Sequence, residues 1–169
     1  MRVRLAGNHE CALLPAIEAS AGQVFADIGM HDVAGDAAPP SDVWEPHCAS
    51  QTLWVAVDDG DRPFGFLASG VQGDLLFIYE LAVAHDHQRQ GAGRALIAAA
   101  ERGAAGLGLG AVYLTTFCDV AFNGPYYRAL GYEVVADAFL PDVLKPVMDA
   151  ERRRWTQPDR RRCAMRKTV

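Results

Sequence analysis

The chain has 169 residues, half of them hydrophobic and 22% charged, which suits one globular domain with a full-sized core. Its net charge of −5 argues weakly against nucleic acid as a partner. No apolar run approaches the roughly 20 residues that cross a bilayer, and Met1–Leu5 lack the apolar segment of a secretory signal, so we expect a cytoplasmic protein without membrane contact and a single domain over residues 1–169.

The charge is divided unevenly along the chain. Residues 151–169 carry eight Lys or Arg against two acids, whereas residues 1–150 carry nineteen acids against eight basic residues. The acidic body favours a cationic ligand, such as a substrate that bears an amine. The arginine-rich end is read as a solvated helix end and edge-strand charges, with an anion contact as the alternative.

The first part of the chain predicts a short strand and helices. Residues 2–6 are predicted as a strand, and residues 10–25 as a helix that Pro15 and Gly22 interrupt. Residues 28–40 are rich in Gly, Asp, Ala and Pro and are predicted as a mobile loop. Ser41 is a good N-cap for a short helix that runs to Ala49.

An antiparallel meander follows these helices. Alternating and apolar runs predict strands at 53–57, 64–71 and 75–83. The turn signals between them, at 58–62 and 72–74, are short enough to join antiparallel neighbours.

The second half predicts a strand–helix–strand unit. A helix over 92–105 and a strand over 111–117 imply that this strand is parallel to the strand at 75–83, through a right-handed crossover. The remaining predicted elements are a helix at 124–130 with Asn123 as its N-cap and Gly131 after its end, a strand at 132–135, a helix at 141–154 that Pro146 interrupts, and a strand at 162–167 that closes the sheet. The fold class is therefore α/β, with a mixed sheet.

Cysteine and histidine patterns do not indicate a metal site. Cys11, Cys48, Cys118 and Cys163 are far apart, form no Cys-x-x-Cys pair, and are expected to be reduced and mostly buried thiols. His85 and His87 have no accompanying ligand cluster, so we expect solvated loop histidines and no metal.

One carboxylate and one glycine-bearing loop stand out. Glu80 interrupts the apolar strand 75–83, and a buried carboxylate costs several kcal/mol unless it is paired or protonated. After this strand, Gly91 and Gly93 open a helix whose free N–H groups and dipole are able to bind a phosphate, with Arg89 and Arg94 adding charge. The sequence lacks the Lys and hydroxyl of a nucleotide P-loop and the third glycine of a dinucleotide fingerprint, so these residues alone also allow an ordinary glycine-bearing loop.

Two segments resemble the GNAT superfamily of N-acetyltransferases. Gln88-x-x-Gly91-x-Gly93 is similar to the acyl-CoA motif [QR]-x-x-G-x-[GA], and residues 123–132 are similar to a second motif in which Asn and Tyr precede Leu-Gly-Phe. The departures are Gln at position 88, where Arg is commoner, and Tyr132 in place of Phe. The resemblance covers about residues 50–135.

The resemblance implies an acyl-CoA N-acyltransferase fold with splayed central strands and acetyl-CoA as acyl donor. It implies that Glu80 is the general base that takes a proton from the amine, and that Tyr127 protonates the leaving thiolate. The backbone N–H near Leu81 is expected to stabilise the oxyanion. The residues that the resemblance assigns to coenzyme A are Leu81, Ala82, Val83, Gln88, Arg89, Gln90, Gly91, Ala92, Gly93, Arg94, Asn123 and Tyr127.

The predicted function is transfer of acetyl from acetyl-CoA to a primary amine of a small molecule. A noncatalytic acyl-CoA sensor and a protein lysine or N-terminal acetyltransferase are the alternatives, and a homodimer is left open. A strand carboxylate held by hydrogen bonds is the alternative for Glu80, and a core tyrosine is the alternative for Tyr127. The acceptor pocket is expected to come from the first helices and the 28–40 loop, without assignment of individual residues.

Overall fold

A computed structural model describes residues 1–155 and 160–169. The helices of this part of the chain are α1 (Leu14–Ala26), α2 (His31–Ala34), α3 (Glu45–Ala49), α4 (Ala92–Gly106), α5 (Gly124–Ala129) and α6 (Lys145–Arg154). The strands are β1 (Arg2–Leu5), β2 (Leu53–Val57), β3 (Pro63–Gln72), β4 (Leu75–Val83), β5 (Ala111–Phe117), β6 (Glu133–Val135) and β7 (Arg162–Thr168).

The seven strands form one mixed sheet in the order β1-β2-β3-β4-β5-β7-β6. The predicted α/β class is therefore confirmed. The predicted parallel pair is also present, because β4 and β5 run parallel with Leu75 opposite Ala111 and Ile78 opposite Leu114. This pairing covers only the first part of both strands, since β4 continues to Val83 and β5 to Phe117. Such a short pairing is typical of strands that splay.

The chain divides into two compact units, the first of which comprises Met1–Gly70 and Tyr79–Gly103. Here β1, β2 and β3 pair antiparallel, with Val3 opposite Ala56 and Val55 opposite Phe66. Strand β2 is buried along its whole length. One face packs in a cluster with Leu14 and Ile17 of α1, and Trp54 on the other face lies against Gly103 of α4. The core of this unit consists of Cys11, Leu14, Ile17, Trp44, Leu53, Val55, Val57, Phe66, Ala68 and Ala82.

The second unit comprises Val71–Ile78 and Ala104–Val169. Strand β7 pairs antiparallel with β5 over seven residues and with β6 over three. The prediction that the last strand closes the sheet is wrong, since β7 lies between β5 and the three-residue edge strand β6. The core here consists of Leu75, Phe77, Tyr113, Val135, Leu140, Leu144, Met148 and Ala164.

In the part of the chain that the structure describes, four helices have a proline in their first two positions and none is interrupted by one. Pro15 and Pro146 both lie at the first helical positions of α1 and α6, where the missing N–H has no intrahelical partner to lose. The predicted interruptions at these residues are therefore wrong, and a 3₁₀ turn precedes each helix instead. The predicted interruption at Gly22 is also wrong, since α1 continues through this residue to Ala26.

One loop prediction and one helix prediction also need correction. Residues 28–40 contain α2, which buried Met30 starts by accepting the N–H groups of Val33 and Ala34 at 3.1 and 3.0 Å. The helix predicted from Ser41 is a 3₁₀ turn over Ser41–Val43 followed by α3, and neither has a side-chain cap.

Candidate active site

Glu80 lies where β4 changes from buried to partly exposed. Residues Leu75–Ile78 are buried, whereas Glu80 and Leu81 are half-buried. Side chains alternate along a strand, so Glu80 shares a face with Ala82, which is part of the core of the first unit. The Leu81 N–H donates to Glu80 Oε1 at 3.1 Å. The N–H that was predicted to stabilise an oxyanion is therefore bonded to the Glu80 carboxylate in this structure.

The loop after β4 has the backbone of an anion cradle. Arg89 and Gly91 adopt positive φ angles of 59° and 89°, and Gly91 is exposed with nothing within 4 Å of the place of a Cβ. The N–H of Ala95 donates to Gly91 O at 3.0 Å. The N–H groups of residues 92–94 lie in the turn before this bond, where the helix itself offers them no acceptor. Together with the dipole of a 15-residue helix, these N–H groups favour a phosphate.

Arginine side chains flank this cradle. Arg89 in the loop and Arg94 in the first turn of α4 are both exposed. Guanidinium groups form strong, charge-assisted hydrogen bonds with phosphate oxygens. The residues present therefore fit the diphosphate that the sequence predicts.

Gln88, the first residue of the motif, contacts the protein itself. Its side-chain amide donates to Val83 O at 3.0 Å and to Ala21 O at 3.2 Å, and its backbone N–H donates to His85 O at 3.2 Å. Both amide hydrogens thus join the end of β4 to α1. The side chain of Gln88 holds the loop in place, and its predicted contact with coenzyme A stays a prediction.

Helix α1 makes a further connection with the same loop. Ser20 Oγ accepts the N–H of His85 at 3.1 Å, and His85 Nε2 lies 3.5 Å from Asp27 Oδ2. The exposed side chain of Gln90 donates to Asp86 O at 3.1 Å, within the loop. The cradle is therefore fastened to α1 by residues on its amino-terminal side.

Asn123 and Tyr127 belong to the second unit, at the start of α5. Asn123 is the N-cap residue as predicted, but it caps through its backbone, because its carbonyl accepts the Tyr127 N–H at 2.9 Å and its side chain makes no capping bond. Gly131 ends this helix with a φ of 89°, as expected for a C′ glycine. The Tyr127 ring, half-buried, packs edge-on against Tyr126 and Tyr132, at 5.4 and 5.8 Å between centroids.

Sequence reasoning missed a second carboxylate in the first unit. Glu18 follows core residue Ile17 in α1, and its Oε2 is buried without a hydrogen-bond partner among the described residues. Burial raises the pKa of Glu18 to about 8, and the negative charges of Glu80 and Asp36 add to the rise. The available signal was its position four residues after Leu14, on the buried face of the helix.

No candidate metal site is present within residues 1–155 and 160–169, since no three His, Cys, Asp or Glu side chains come together there. The four cysteines are free, and all but Cys48 are fully buried. No helix in the described ranges is long and apolar enough to cross a membrane.

A family model matches the part of the chain that contains the glycine-bearing loop. The profile of the Acetyltransferase (GNAT) family matches residues 26–132, well over half of the chain. The chain belongs to the GNAT family of acetyltransferases. The matched range includes Glu80, the cradle and Tyr127.

Solved structures share the fold of this GNAT protein. The ribosomal-protein-S18-alanine N-acetyltransferase of Escherichia coli aligns over 99% of this chain and 93% of its own, with a TM-score of 0.67 and 17% identity. The PaiA N-acetyltransferase of Thermoplasma acidophilum, solved with coenzyme A, aligns over 99% and 98%, with a TM-score of 0.70 and 14% identity. The N-acetylglutamate synthase of Neisseria gonorrhoeae, solved with coenzyme A and N-acetyl-glutamate, aligns over 99% of this chain but 35% of its own, with a TM-score of 0.66 and 19% identity.

These findings establish the general reaction. The GNAT protein is an acetyl-CoA-dependent N-acetyltransferase, and acetyl-CoA is its acyl donor. The structural likeness, at identities of 14 to 19%, concerns the fold.

Proposed function

We propose that this GNAT enzyme transfers an acetyl group from acetyl-CoA to a primary amine of a small molecule by direct attack, within one domain over residues 1–169. The observation that carries the proposal is the half-buried carboxylate of Glu80, which lies on β4 shortly before the anion cradle. The acidic body of the chain supports an acceptor that arrives as an ammonium ion.

In this proposal the donor is held mainly by backbone groups. The diphosphate of coenzyme A binds the N–H groups of residues 91–94, and Arg89 and Arg94 add charge-assisted hydrogen bonds. The pantetheine amides pair with backbone groups of Leu81 and Val83, in the manner of an added strand. Ala82, Gln90 and Asn123 complete the proposed binding residues, and Gln88 keeps the loop in position.

The proposed chemistry requires one base and one acid. The acceptor ammonium loses a proton to the Glu80 carboxylate, and the free amine then forms its bond with the acetyl carbonyl carbon. The carbon–sulfur bond breaks, and the Tyr127 hydroxyl protonates the leaving thiolate. The Leu81 N–H lies beside the Glu80 carboxylate, so loss of the carboxylate charge on protonation would free this donor for the oxyanion.

A protein N-terminal or lysine amine is the second candidate acceptor. It is favoured by the likeness to the S18-alanine N-acetyltransferase, whose acceptor is a protein. The likeness to N-acetylglutamate synthase, which was solved with N-acetyl-glutamate, favours a small acceptor instead. Both candidates share the acetyl donor and the proposed base.

An acetyl-CoA consumption assay tests the proposal. The acceptors are a panel of small primary amines beside short peptides with free N-termini or lysines, and the variants are Glu80→Gln and Tyr127→Phe. We expect turnover with at least one small amine, a loss of about 10²- to 10⁴-fold in kcat for Glu80→Gln, and retained affinity for coenzyme A. Turnover confined to peptides would contradict the small acceptor, and unchanged kcat in both variants would contradict the assigned roles.

A further inference from the structure

We propose that His47 is a specificity-determining residue of this active site, whose Nε2 atom accepts a hydrogen bond from a second polar group of the acceptor. The substrate class is then an amine that carries a further N–H or O–H donor, such as a diamine or an amino alcohol. The inference rests on the proposed function, because it names the acceptor class of the same reaction.

The imidazole of His47 is held in one orientation. His47 belongs to α3, and its Nδ1 lies 2.7 Å from the carbonyl oxygen of Ser69, a fully buried residue of β3. A carbonyl oxygen only accepts hydrogen bonds, so Nδ1 carries the hydrogen of this bond. The backbone of His47 is fixed as well, since its carbonyl accepts the Thr52 N–H at 2.9 Å and the Thr52 hydroxyl at 3.2 Å.

This bond determines the state of the other ring nitrogen of His47. In a neutral imidazole one nitrogen carries the hydrogen and the other has a lone pair, so Nε2 is a hydrogen-bond acceptor. Nε2 has no hydrogen-bond partner within residues 1–155 and 160–169, and the ring is half-buried. His47 therefore keeps one acceptor atom of fixed direction for a further donor.

An aromatic wall, made of Trp44, His47 and Tyr79, surrounds this acceptor atom on the protein side. The ring of His47 lies 5.0 Å from that of Tyr79 and 6.1 Å from that of Trp44, between centroids. Trp44 is buried against Phe66 in the core of the first unit, whereas Tyr79 is 41% exposed. The wall thus extends from the core to the surface, where a ligand is able to pack on an aromatic face.

The wall lies on the side of the sheet to which Glu80 belongs. A Cβ at Gly70 would lie 3.1 Å from the Tyr79 ring, and residue 70 shares its face of β3 with Phe66. Phe66 and Ala82 belong to one core cluster. Tyr79 and Ala82 therefore lie on one face although they are three residues apart, so the alternation of β4 is interrupted between them, as a β-bulge does. Glu80, which shares the face of Ala82, directly follows Tyr79.

The carboxylate and the imidazole are then available for two ends of one acceptor. The amine that reacts loses its proton to Glu80, the second group donates to His47 Nε2, and the methylene groups between them pack on the Tyr79 ring. A second ammonium group also gains from the aromatic face and from the acidic body of the chain, whereas a hydroxyl group gains the hydrogen bond alone. A monoamine leaves Nε2 without a donor and binds more weakly.

Two variants of His47 separate ligand binding from structural support. The amide nitrogen of Asn takes the place of Nδ1, so His47→Asn keeps a donor for Ser69 and removes Nε2. The amide of Gln reaches the place of Nε2, so His47→Gln keeps a polar group there and loses the bond to Ser69. The exposed His9→Asn, in the turn before α1, is the matched control.

Steady-state kinetics with acetyl-CoA measure the difference. The acceptors are diamines, amino alcohols and monoamines of matched chain length, beginning with ethylenediamine, ethanolamine and ethylamine. We expect His47→Asn to raise KM for the diamine, the amino alcohol or both by about tenfold with kcat nearly unchanged, and to leave KM for the monoamine unchanged. His47→Gln should keep KM closer to that of the parent although its thermal midpoint falls, and His9→Asn should change neither.

The arms of this experiment decide the chemistry of the second group. A rise in KM confined to diamines identifies an ammonium donor, and one confined to amino alcohols identifies a hydroxyl donor. A structural role alone predicts the reverse order of the variants, with His47→Gln impaired and His47→Asn intact. That order, or an equal rise in KM for monoamines, would overturn the inference.

Nitrogen NMR of histidine-labelled protein reports on the same contact without turnover. With coenzyme A bound, at about pH 8, where an ordinary imidazole is neutral, His47 should show the tautomer with its hydrogen on Nδ1. Diamines or amino alcohols should shift the Nε2 signal, and monoamines should not. A hydrogen on Nε2, or a signal that none of these amines moves, would overturn the role of His47. Failure of every amine to be acetylated would instead overturn the proposed function, and the NMR titration would still report on His47.

Discussion

Two regions of the first unit each bury a carboxyl group, that of Glu10 and that of Glu18. The first carboxyl group is fully hydrogen-bonded, whereas the second has a buried oxygen without a partner. Glu10, in the 3₁₀ turn before α1, is 3% exposed. Arg4 Nη1 and Nη2 donate to its two carboxylate oxygens at 2.8 Å each, and the Gly7 N–H donates to Oε2 at 2.7 Å. The hydrogen bonds from Arg4 hold the pKa of Glu10 below its usual value. Glu18, in α1, has a buried oxygen without such a donor, and its pKa is raised.

The difference separates a carboxylate that fixes a turn from a carboxyl group whose surroundings favour its protonated form. A fully paired carboxylate fixes the turn that leads from β1 into α1, because it satisfies both the guanidinium and a backbone N–H. The unpaired buried oxygen of Glu18 makes no such stabilising contact. Buried polar groups without a hydrogen-bond partner are few in native proteins.

The largest expected effect on stability comes from breaking the ion pair between Arg4 and Glu10. Glu10→Gln removes the charge that Arg4 binds while it keeps the size of the side chain, and should lower the free energy of unfolding by about 2–3 kcal/mol. Urea denaturation at pH 7 measures this loss. The control is Asp61→Asn, which removes an exposed carboxylate bonded to the same Arg4 at 3.0 Å and should cost much less. Equal losses in the two variants would show that burial does not distinguish Glu10.

A smaller effect is expected from the contact between α1 and the cradle. Gln88→Leu leaves the carbonyls of Ala21 and Val83 without their donor, at about 1–2 kcal/mol, and should raise the Kd for coenzyme A by about tenfold because the loop loses its support. Calorimetric titration with coenzyme A measures the affinity.

Gln90→Leu is the matched control for this change. Its amide bonds a carbonyl inside the exposed loop, so its loss should change stability by less than about 0.5 kcal/mol. Equal weakening of coenzyme A binding by both variants would contradict a specific role for Gln88. A direct side-chain contact between Gln88 and the cofactor would instead predict weakened binding without a loss of stability.

The sequence predicts most of the strands and the glycine-bearing loop before α4, since both depend on local patterns. The apolar runs at β2 and β4 and the glycines before α4 need no long-range information to be read. The position of β7 depends on its pairing with β5 on one side and with β6 on the other, and a linear pattern does not contain these long-range partners. The local sequence also does not show whether Pro15 and Pro146 begin a helix or break one. The two cases differ only in where the first helical turn lies.

The candidate site also contains residues that the local sequence predicts and residues that depend on long-range packing. Glu80 was predictable because a carboxylate in an apolar strand is conspicuous. The side-chain bonds of Gln88 and the burial of Glu18 were not, since both require that α1 pack beside the loop after β4, and the contacts in question connect residues more than sixty positions apart.

The smallest effect tests the comparison through the pH dependence of stability. For Glu10, whose pKa is lowered on folding, the unfolded chain binds more protons in acid, so the free energy of unfolding falls as pH drops below about 4.5. For Glu18 the native state holds a proton that the unfolded chain has released, so the free energy of unfolding falls as pH rises from 4.5 to about 8. Glu18→Gln removes only the second decline.

At pH 9 the Glu18→Gln variant should therefore be more stable than the parent by about 1 kcal/mol, after a reduction for solvent screening at a half-buried side chain, and the two should be equal near pH 4.5. Urea denaturation across this range measures the difference, with Glu133→Gln as the exposed control. A difference that stays constant with pH would mean that Glu18 titrates alike in both states. The burial of its unpaired oxygen would then be relieved by local opening, and the contrast with Glu10 would concern only hydrogen bonding.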